Sequence, residues 1–103
     1  MEKVFLREEL KHFLDDRDRL IQYPAKYRLQ VISLFYLAGK FEPGRKYTER
    51  EVNDIIKNWH CFEDWTMLRR DLCDGHFLGR EKNGSAYWLE EKPPVLADFG
   101  LTG

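Results

Sequence analysis

The chain has 103 residues, of which 43% are hydrophobic and 34% are charged, and its formal net charge at pH 7 is -1. This composition excludes a disordered chain and predicts a single globular domain over residues 1–103. The chain has only two cysteines and no signal-peptide pattern at its start. Its apolar runs are much shorter than the about 20 residues needed to span a bilayer. These features predict a cytoplasmic protein without a membrane partner.

Charge is distributed unevenly along the chain. Residues 1–47 contain ten Lys or Arg against seven Asp or Glu, whereas residues 48–103 contain seven against eleven. A surface that binds nucleic acid is therefore expected to be local and not a property of the total charge.

Two helices are predicted in the first forty residues. Apolar residues recur at helical spacing from Leu6 to Leu14, which predicts a helix over about residues 3–15. An almost entirely apolar stretch follows between Pro24 and Gly39. It is predicted to be the most buried helix, with Pro24 in its first turn and Gly39 at a left-handed end.

Two short amphipathic helices are predicted between Thr48 and Gly75. Thr48 and Glu51 form the capping-box pattern at the start of a helix of about twelve residues. After a break near the sequence HCFE, Asp64 is predicted to cap a second helix that ends at Gly75.

The second helix of this pair is predicted to have one apolar and one polar face. At about 100° per residue, Trp65, Leu68 and Leu72 share the face expected in the core. The other positions lie on the opposite face or on its flanks: Thr66, Met67, Arg69, Arg70, Cys73 and Asp74.

A β-hairpin is predicted near the carboxyl end. Asn83 and Gly84 are typical of a two-residue type I′ turn. The resulting register pairs Gly79 with Trp88, Arg80 with Tyr87 and Lys82 with Ser85.

Two further segments have weaker patterns. Arg45 to Tyr47, RKY, is available as another short strand before the capped helix. Residues 90–103 are interpreted as a tail that Val95, Leu96 and Phe99 hold to the core.

The order of these elements is typical of an α+β winged helix-turn-helix, in which the hairpin is the wing and the second helix of the pair enters the major groove of DNA. We therefore predict a winged-helix core at residues 23–89 with a two-to-three-stranded β wing. An extra N-terminal helix and lead-in occupy residues 1–22, and the tail occupies residues 90–103.

The stretch from Tyr23 to Leu89 also resembles a prokaryotic family, the domain of unknown function 2087 family. The resemblance is carried by RKYTEREVN, LRRDL and GxxYW, which end at Asn53, Leu72 and Trp88, and it covers about two-thirds of the chain. Members of this family stand alone or are attached to helix-turn-helix regulators. The resemblance implies a winged-helix domain of the transcriptional-regulator type.

Candidate DNA contacts follow from exposure and charge. Arg70 points away from the core face, and a bidentate arginine is the commonest reader of guanine; the alternative is an ion pair with Asp74 or Glu63. Arg69 lies nearer the apolar face, which favours an ion pair with Glu49 or Glu51. The complete set of candidates is Thr66, Met67, Arg69, Arg70, Cys73, Arg80, Lys82 and Asn83.

The wing offers its own contacts. Lys82 is the better phosphate ligand, whereas Arg80 either reaches DNA or lies across the ring of Tyr87. A basic rim is a further candidate, or else ordinary solvated surface: Lys26, Arg28, Arg45 and Lys46.

Seven carboxylates on the helix pair oppose DNA binding, because each weakens the electrostatic attraction to phosphate. They are Glu49, Glu51, Asp54, Glu63, Asp64, Asp71 and Asp74. The alternative function is a winged helix that binds a protein partner without binding DNA. A homodimer is also compatible with the chain, through the N-terminal helix or residues 93–101.

Metal and catalytic sites are not predicted. His60, Cys61, Cys73 and His76 suggest zinc, but the adjacent His60 and Cys61 do not match the usual ligand spacing. The chain has no glycine-rich phosphate loop and no nucleophile motif. We therefore expect no cofactor and no enzymatic activity.

Overall fold

The computed structural model describes residues 3–60 and 64–102. Helices α1 (Lys3–Glu9), α2 (Tyr27–Ala38), α3 (Glu49–Asn58) and α4 (Trp65–Asp74) precede strands β1 (Leu78–Arg80) and β2 (Tyr87–Leu89). The strands form a two-stranded antiparallel sheet, so the predicted α+β class is confirmed. Within the described ranges, no helix has the length and apolar character needed to cross a membrane.

The N-terminal helix is shorter than predicted. α1 ends at Glu9, and a 3-10 helix at Lys11–Phe13 follows it. The Asp15 carboxylate accepts hydrogen bonds from the backbone N–H groups of Arg17 (2.9 Å) and Arg19 (2.8 Å). These side-chain bonds compete with helical backbone bonding and turn the chain here.

Helix α2 is the most buried helix, as predicted, with seven of its twelve residues buried against two each in α3 and α4. Both predicted boundary details are wrong. The helix begins at Tyr27 because Lys26 is extended, so Pro24 lies before the first turn. Gly39 has φ -65° and is right-handed, because its N–H bonds back to the helical carbonyls of Leu37 and Phe35.

Two hydrophobic clusters meet at α2. One joins α2 to α3, α4 and the hairpin, and the other joins α2 to α1 and the carboxyl-terminal segment. Phe35 and Phe99 pack against both clusters. Phe35 meets the ring of Phe77 edge to face at 4.7 Å between centroids, which ties the end of α4 to α2.

The carboxyl-terminal segment packs on the core, partly as predicted. A 3-10 helix at Leu96–Phe99 buries Leu96 and stacks Phe99 on Phe77 at 5.7 Å between ring centroids. Val95, also expected to hold the tail, is 57% exposed. That part of the prediction is wrong because Val95 is the extended residue before the 3-10 helix and faces solvent.

The start of α3 confirms the predicted capping box. The Thr48 hydroxyl accepts from the Glu51 N–H (3.1 Å), and the Glu51 carboxylate accepts from the Thr48 N–H (2.9 Å). The helix spans ten residues, close to the predicted twelve. Most of the break predicted at HCFE, residues 61–63, lies outside the described residues.

Helix α4 has the predicted ends but not the expected chemistry at either. Asp64 is the N-cap residue, yet its side chain makes no capping hydrogen bond. At the other end, His76 and not Gly75 is left-handed, with φ 64°. The N–H of Phe77 bonds to the Leu72 carbonyl (2.9 Å), as in a Schellman motif. A Cβ at Gly75 would crowd the Phe77 ring.

The hairpin has the predicted register with a different turn. Gly79 pairs with Trp88 and Arg80 with Tyr87, as expected. The type I′ turn and the Lys82–Ser85 pair are wrong. Bonds from Glu81 N–H to Ala86 O and from Gly84 N–H to Glu81 O, both 2.9 Å, close a loop over residues 82–85. Only Gly84 of this loop has positive φ, 74°, and the Asn83 side chain instead accepts from the Ser85 N–H.

The segment RKY contributes one bridge to the hairpin. Tyr47 and Tyr87 exchange two backbone hydrogen bonds, of 2.7 and 2.8 Å, in an isolated antiparallel bridge. β2 is therefore bonded on both sides, by β1 and by the residue that precedes the α3 cap.

Candidate functional site

Three contacts fix α4 against the rest of the molecule. The Tyr23 hydroxyl donates a 3.0 Å hydrogen bond to Asp71, and burial together with this carboxylate raises the pKa of Tyr23. The Arg69 guanidinium donates to the Asn53 side chain on α3 and lies 3.8 Å from the Glu49 carboxylate. The ion pair predicted for Arg69 is therefore present. Asp71 and Arg69, on the side of α4 that faces the protein, fix this helix to Tyr23 and to α3.

His60 organises the connection between α3 and α4. Its Nε2 accepts a hydrogen bond from the Asp64 N–H (3.2 Å), so the proton of the neutral ring lies on Nδ1. Nδ1 donates this proton to the Ile56 carbonyl. His60 is 5% exposed and also forms a parallel bridge with Leu20. The sequence suggested only a zinc ligand here, although a histidine directly after a helix is well placed to bond the last turn.

Glu49 joins three elements at one point. It lies in the first turn of α3, accepts a 3.0 Å hydrogen bond from the Tyr87 hydroxyl of β2, and lies beside Arg69 of α4. Burial and the Glu49 carboxylate raise the pKa of Tyr87, while the nearby guanidinium groups of Arg80 and Arg69 act in the opposite direction. The helix pair and the hairpin therefore share one polar junction.

A groove of about 440 Å³ separates α4 from the hairpin; we call it the α4–hairpin groove. It brings together five of the eight residues predicted to contact DNA: Thr66, Arg69, Arg70, Cys73 and Arg80. Its other lining residues are Asp74, His76, Leu78, Gly79, Tyr87 and Glu90.

Two guanidinium groups of this groove have no carboxylate partner among residues 3–60 and 64–102. Arg70 is exposed and does not form the ion pair with Asp74 that was its alternative; Glu63 lies outside the described residues. Arg80 is also exposed and lies beside the Tyr87 hydroxyl, not across the ring. The Arg70 guanidinium is therefore available to a ligand, and so are the N–H groups of Arg80 that do not face the Tyr87 hydroxyl.

Cys73 lies half-buried in the same groove. Burial raises the pKa of its thiol, and the neighbouring Asp74 carboxylate adds to this effect. The guanidinium groups of Arg80 and Arg69 oppose it. The thiol therefore lies close to both basic and acidic side chains of the groove.

The remaining three candidates lie outside the groove. Met67 is 36% exposed on α4, and Lys82 and Asn83 belong to the exposed hairpin loop. Lys82 has no carboxylate partner within the described part of the chain. Contact between DNA and any of the eight residues stays a prediction.

The carboxylates of the helix pair divide into two groups. Glu49, Glu51 and Asp71 accept hydrogen bonds within the molecule. Asp54, Asp64 and Asp74 are exposed, and their side chains have no hydrogen bond or ion pair with the described residues.

The basic rim is mostly engaged in contacts of its own. Arg28 bonds to Glu9 and to the Thr102 carbonyl, each at 2.6 Å, and Arg45 pairs with Glu51 at 3.1 Å. Two lysines complete the rim: Lys46, 6.0 Å from the Trp88 ring, and the exposed Lys26. Across the described ranges, no three His, Cys, Asp or Glu side chains converge as a metal site requires.

Comparison with known proteins yields one family. The model of a family described as uncharacterized protein conserved in bacteria (DUF2087) matches residues 19–89, which is more than half of the chain. Neither the curated proteins nor the solved structures searched contain a match.

Proposed function

The chain belongs to this bacterial family, DUF2087, and we propose that it is a winged-helix domain that binds double-stranded DNA and regulates transcription. Its element order supports the proposal: α3 and α4 correspond to a helix-turn-helix pair, and β1 and β2 to the wing. The observation that carries it is that Arg70 and Arg80 line one groove without carboxylate partners among the described residues.

In this proposal α4 enters the major groove of DNA. Arg70 reads a guanine edge, and Thr66, exposed in the first turn of α4, bonds a phosphate or a base edge. Lys82 on the hairpin loop contacts a backbone phosphate. Because one such domain covers a short half-site, the proposal includes a homodimer on a two-fold operator.

The second candidate is a protein-interaction module of the same fold. The exposed carboxylates of Asp54, Asp64 and Asp74, which have no partner in the described part of the chain, favour it. Such groups repel phosphate and attract a basic protein surface.

Fluorescence anisotropy with labelled duplexes separates the two functions. The duplexes are taken from the region upstream of the chain's own gene, with a scrambled duplex of equal length, at low and moderate salt. We expect sequence-dependent binding that Arg70→Ala weakens by about 1–3 kcal/mol, as for one lost bidentate base contact. Lys82→Ala should weaken both duplexes equally and reduce the salt slope by about 0.9.

Arg17→Ala is the matched control, because Arg17 is an exposed arginine outside the α4–hairpin groove whose side chain has no partner among the described residues. It should bind like the unmodified chain. If Arg70→Ala stays within about twofold of the control, Arg70 does not read DNA. If micromolar protein binds neither duplex at low salt, the interaction module is the better function.

A further inference from the structure

The α4–hairpin groove has the dimensions of a small-molecule site. Its volume of about 440 Å³ falls within the range of about 300–1,000 Å³ that is usual for such sites. Its lining is mostly polar and charged, and its apolar side chains Leu78 and Tyr87 are only 2% and 1% exposed. The polar groups therefore decide which ligand the groove fits.

The charges that remain available in the groove point to the chemistry of the ligand. Arg69 is engaged with α3, and the Glu90 carboxylate accepts a 3.0 Å hydrogen bond from the Trp88 indole. Arg70, Arg80 and Asp74 are then left to a ligand. Guanidinium groups bind phosphate and carboxylate in a bidentate manner, and an ionised carboxylate only accepts hydrogen bonds.

Two backbone features surround this groove. Gly79 lies under the Trp88 side chain, and a Cβ there would overlap the Trp88 indole and the Glu90 carboxylate. His76 also lines the groove, and its φ of 64° is the left-handed end of α4 described above.

We propose that the α4–hairpin groove binds a small organic oxyanion that also carries a hydroxyl group. Arg70 and Arg80 hold the phosphate or carboxylate of the ligand, and Asp74 accepts a hydrogen bond from its hydroxyl. This site does not require that the chain bind DNA. If the chain does bind DNA, ligand and duplex compete for Arg70 and Arg80.

The test is a titration of the 15N-labelled chain followed by amide chemical shifts at constant ionic strength. The probes are glycerol 3-phosphate, glycerate and sulfate. The first two distinguish a phosphate ligand from a carboxylate ligand, and sulfate is an oxyanion that has no hydroxyl group at neutral pH. We expect saturable shifts at the amides of Cys73, His76 and Gly79. Glycerol 3-phosphate or glycerate should bind more tightly than sulfate.

Variants assign the roles of the side chains. Arg70→Gln and Arg80→Gln should each weaken binding by about tenfold or more, as for a lost charge-assisted hydrogen bond. Asp74→Ala should tighten the binding of sulfate and remove the preference for the hydroxylated probes, because alanine has neither the negative charge nor a hydrogen-bond acceptor. Arg17→Gln is the matched control and should leave every affinity unchanged. These positions are exposed, so the fold should persist, and the unligated spectrum of each variant verifies it.

Two results would overturn the proposal. One is shifts that do not saturate or that do not respond to Arg70→Gln and Arg80→Gln, which indicate nonspecific anion attraction. The other is an absence of groove shifts with all three probes, even if the duplex assay shows DNA binding. Conversely, saturable groove binding without duplex binding would support the ligand site and contradict the proposed DNA function.

Discussion

The basic side chains of two regions of this molecule are used in different ways. In residues 3–38, three of the four arginines pair with carboxylates: Arg7 with Asp18 at 3.0 Å, Arg19 with Asp15 at 2.8 Å, and Arg28 with Glu9 at 2.6 Å. Arg17 is the exception. In residues 64–89, Arg70, Arg80 and Lys82 have no carboxylate partner among the described residues. The first region uses most of its arginines within the fold. The second region pairs Arg69 with Glu49 but presents most of its basic side chains to solvent.

This difference matters because exposed charges contribute little to folding. A surface ion pair contributes about 0–1 kcal/mol to stability, and an exposed charge without a partner contributes less. We therefore expect Arg70, Arg80 and Lys82 to contribute little to the stability of the fold. We expect the two regions to fold as one unit, and cooperative unfolding is the first property to test.

The largest expected effects come from the two hydrophobic clusters. Leu10 and Leu68 are both 0% exposed, one in each cluster, and replacing either with alanine should cost about 2–5 kcal/mol. Because Phe35 and Phe99 pack against both clusters, each variant should still unfold in a single transition. Urea unfolding followed by circular dichroism and by tryptophan fluorescence measures both quantities.

The three tryptophans make this test selective. Trp59, Trp65 and Trp88 all lie after α2, so fluorescence reports on α3, α4 and the hairpin, whereas circular dichroism reports on all helices. If Leu10→Ala produces an early transition in circular dichroism that fluorescence does not detect, the two regions unfold separately. The two regions would then be independent folding units.

An intermediate effect on stability is expected at the start of α3, where Thr48 and Glu51 form the capping box. Thr48→Ala removes the N-cap and should reduce the free energy of unfolding by about 1 kcal/mol. Thr66→Ala is the control, because Thr66 is exposed in the first turn of α4 and should change stability by less than about 0.5 kcal/mol. Equal losses in the two variants would contradict the capping assignment.

The same cap has a pH dependence of known sign. The Thr48 N–H, as a hydrogen-bond donor, lowers the pKa of Glu51 below its ordinary 4.5. The contribution of Glu51 is therefore complete above pH 4.5 and is lost as the pH falls through the lower value of the folded state. Urea unfolding between pH 6 and pH 3 should show a smaller acid-induced loss in Glu51→Gln than in the unmodified chain.

The smallest expected effect tests the comparison most directly. Arg28→Ala should reduce stability by up to about 1 kcal/mol, because it removes a bond to Glu9 and one to the Thr102 carbonyl. Arg70→Ala should change stability by less than about 0.5 kcal/mol while weakening ligand or duplex binding. If urea unfolding finds Arg70→Ala the more destabilising, Arg70 has a structural role and the distinction between the regions fails.

Local signals in the sequence predicted the local structure well. The capping box at Thr48 and the pairing of Arg80 with Tyr87 depend on residues adjacent in the chain, and both are confirmed. The predictions that were wrong concern positions where two hydrogen-bonding arrangements compete. The sequence pattern does not show which arrangement is more stable. Asn83 bonds the Ser85 N–H and does not form a type I′ turn, and Gly39 continues the right-handed bonding of α2.

The candidate site was only partly accessible to sequence reasoning. Helical periodicity identified Arg70 as exposed and brought Arg69 within reach of Glu49, and both features are present. The groove itself depends on how the hairpin packs against α4, which no local pattern specifies. For the same reason no local pattern predicted that Tyr87 would line the groove. The bonds of His60 are local, and its position just after α3 was a signal for them.

The junction at Glu49 affects the entropy of binding. Glu49 appeared among the carboxylates that oppose DNA binding, yet it connects α3 to Tyr87 of β2 and to Arg69 of α4. Both walls of the groove are therefore held in place before any ligand arrives, and less conformational freedom remains to be lost on association. An acidic residue that touches no ligand preorganises the basic surface that would receive one.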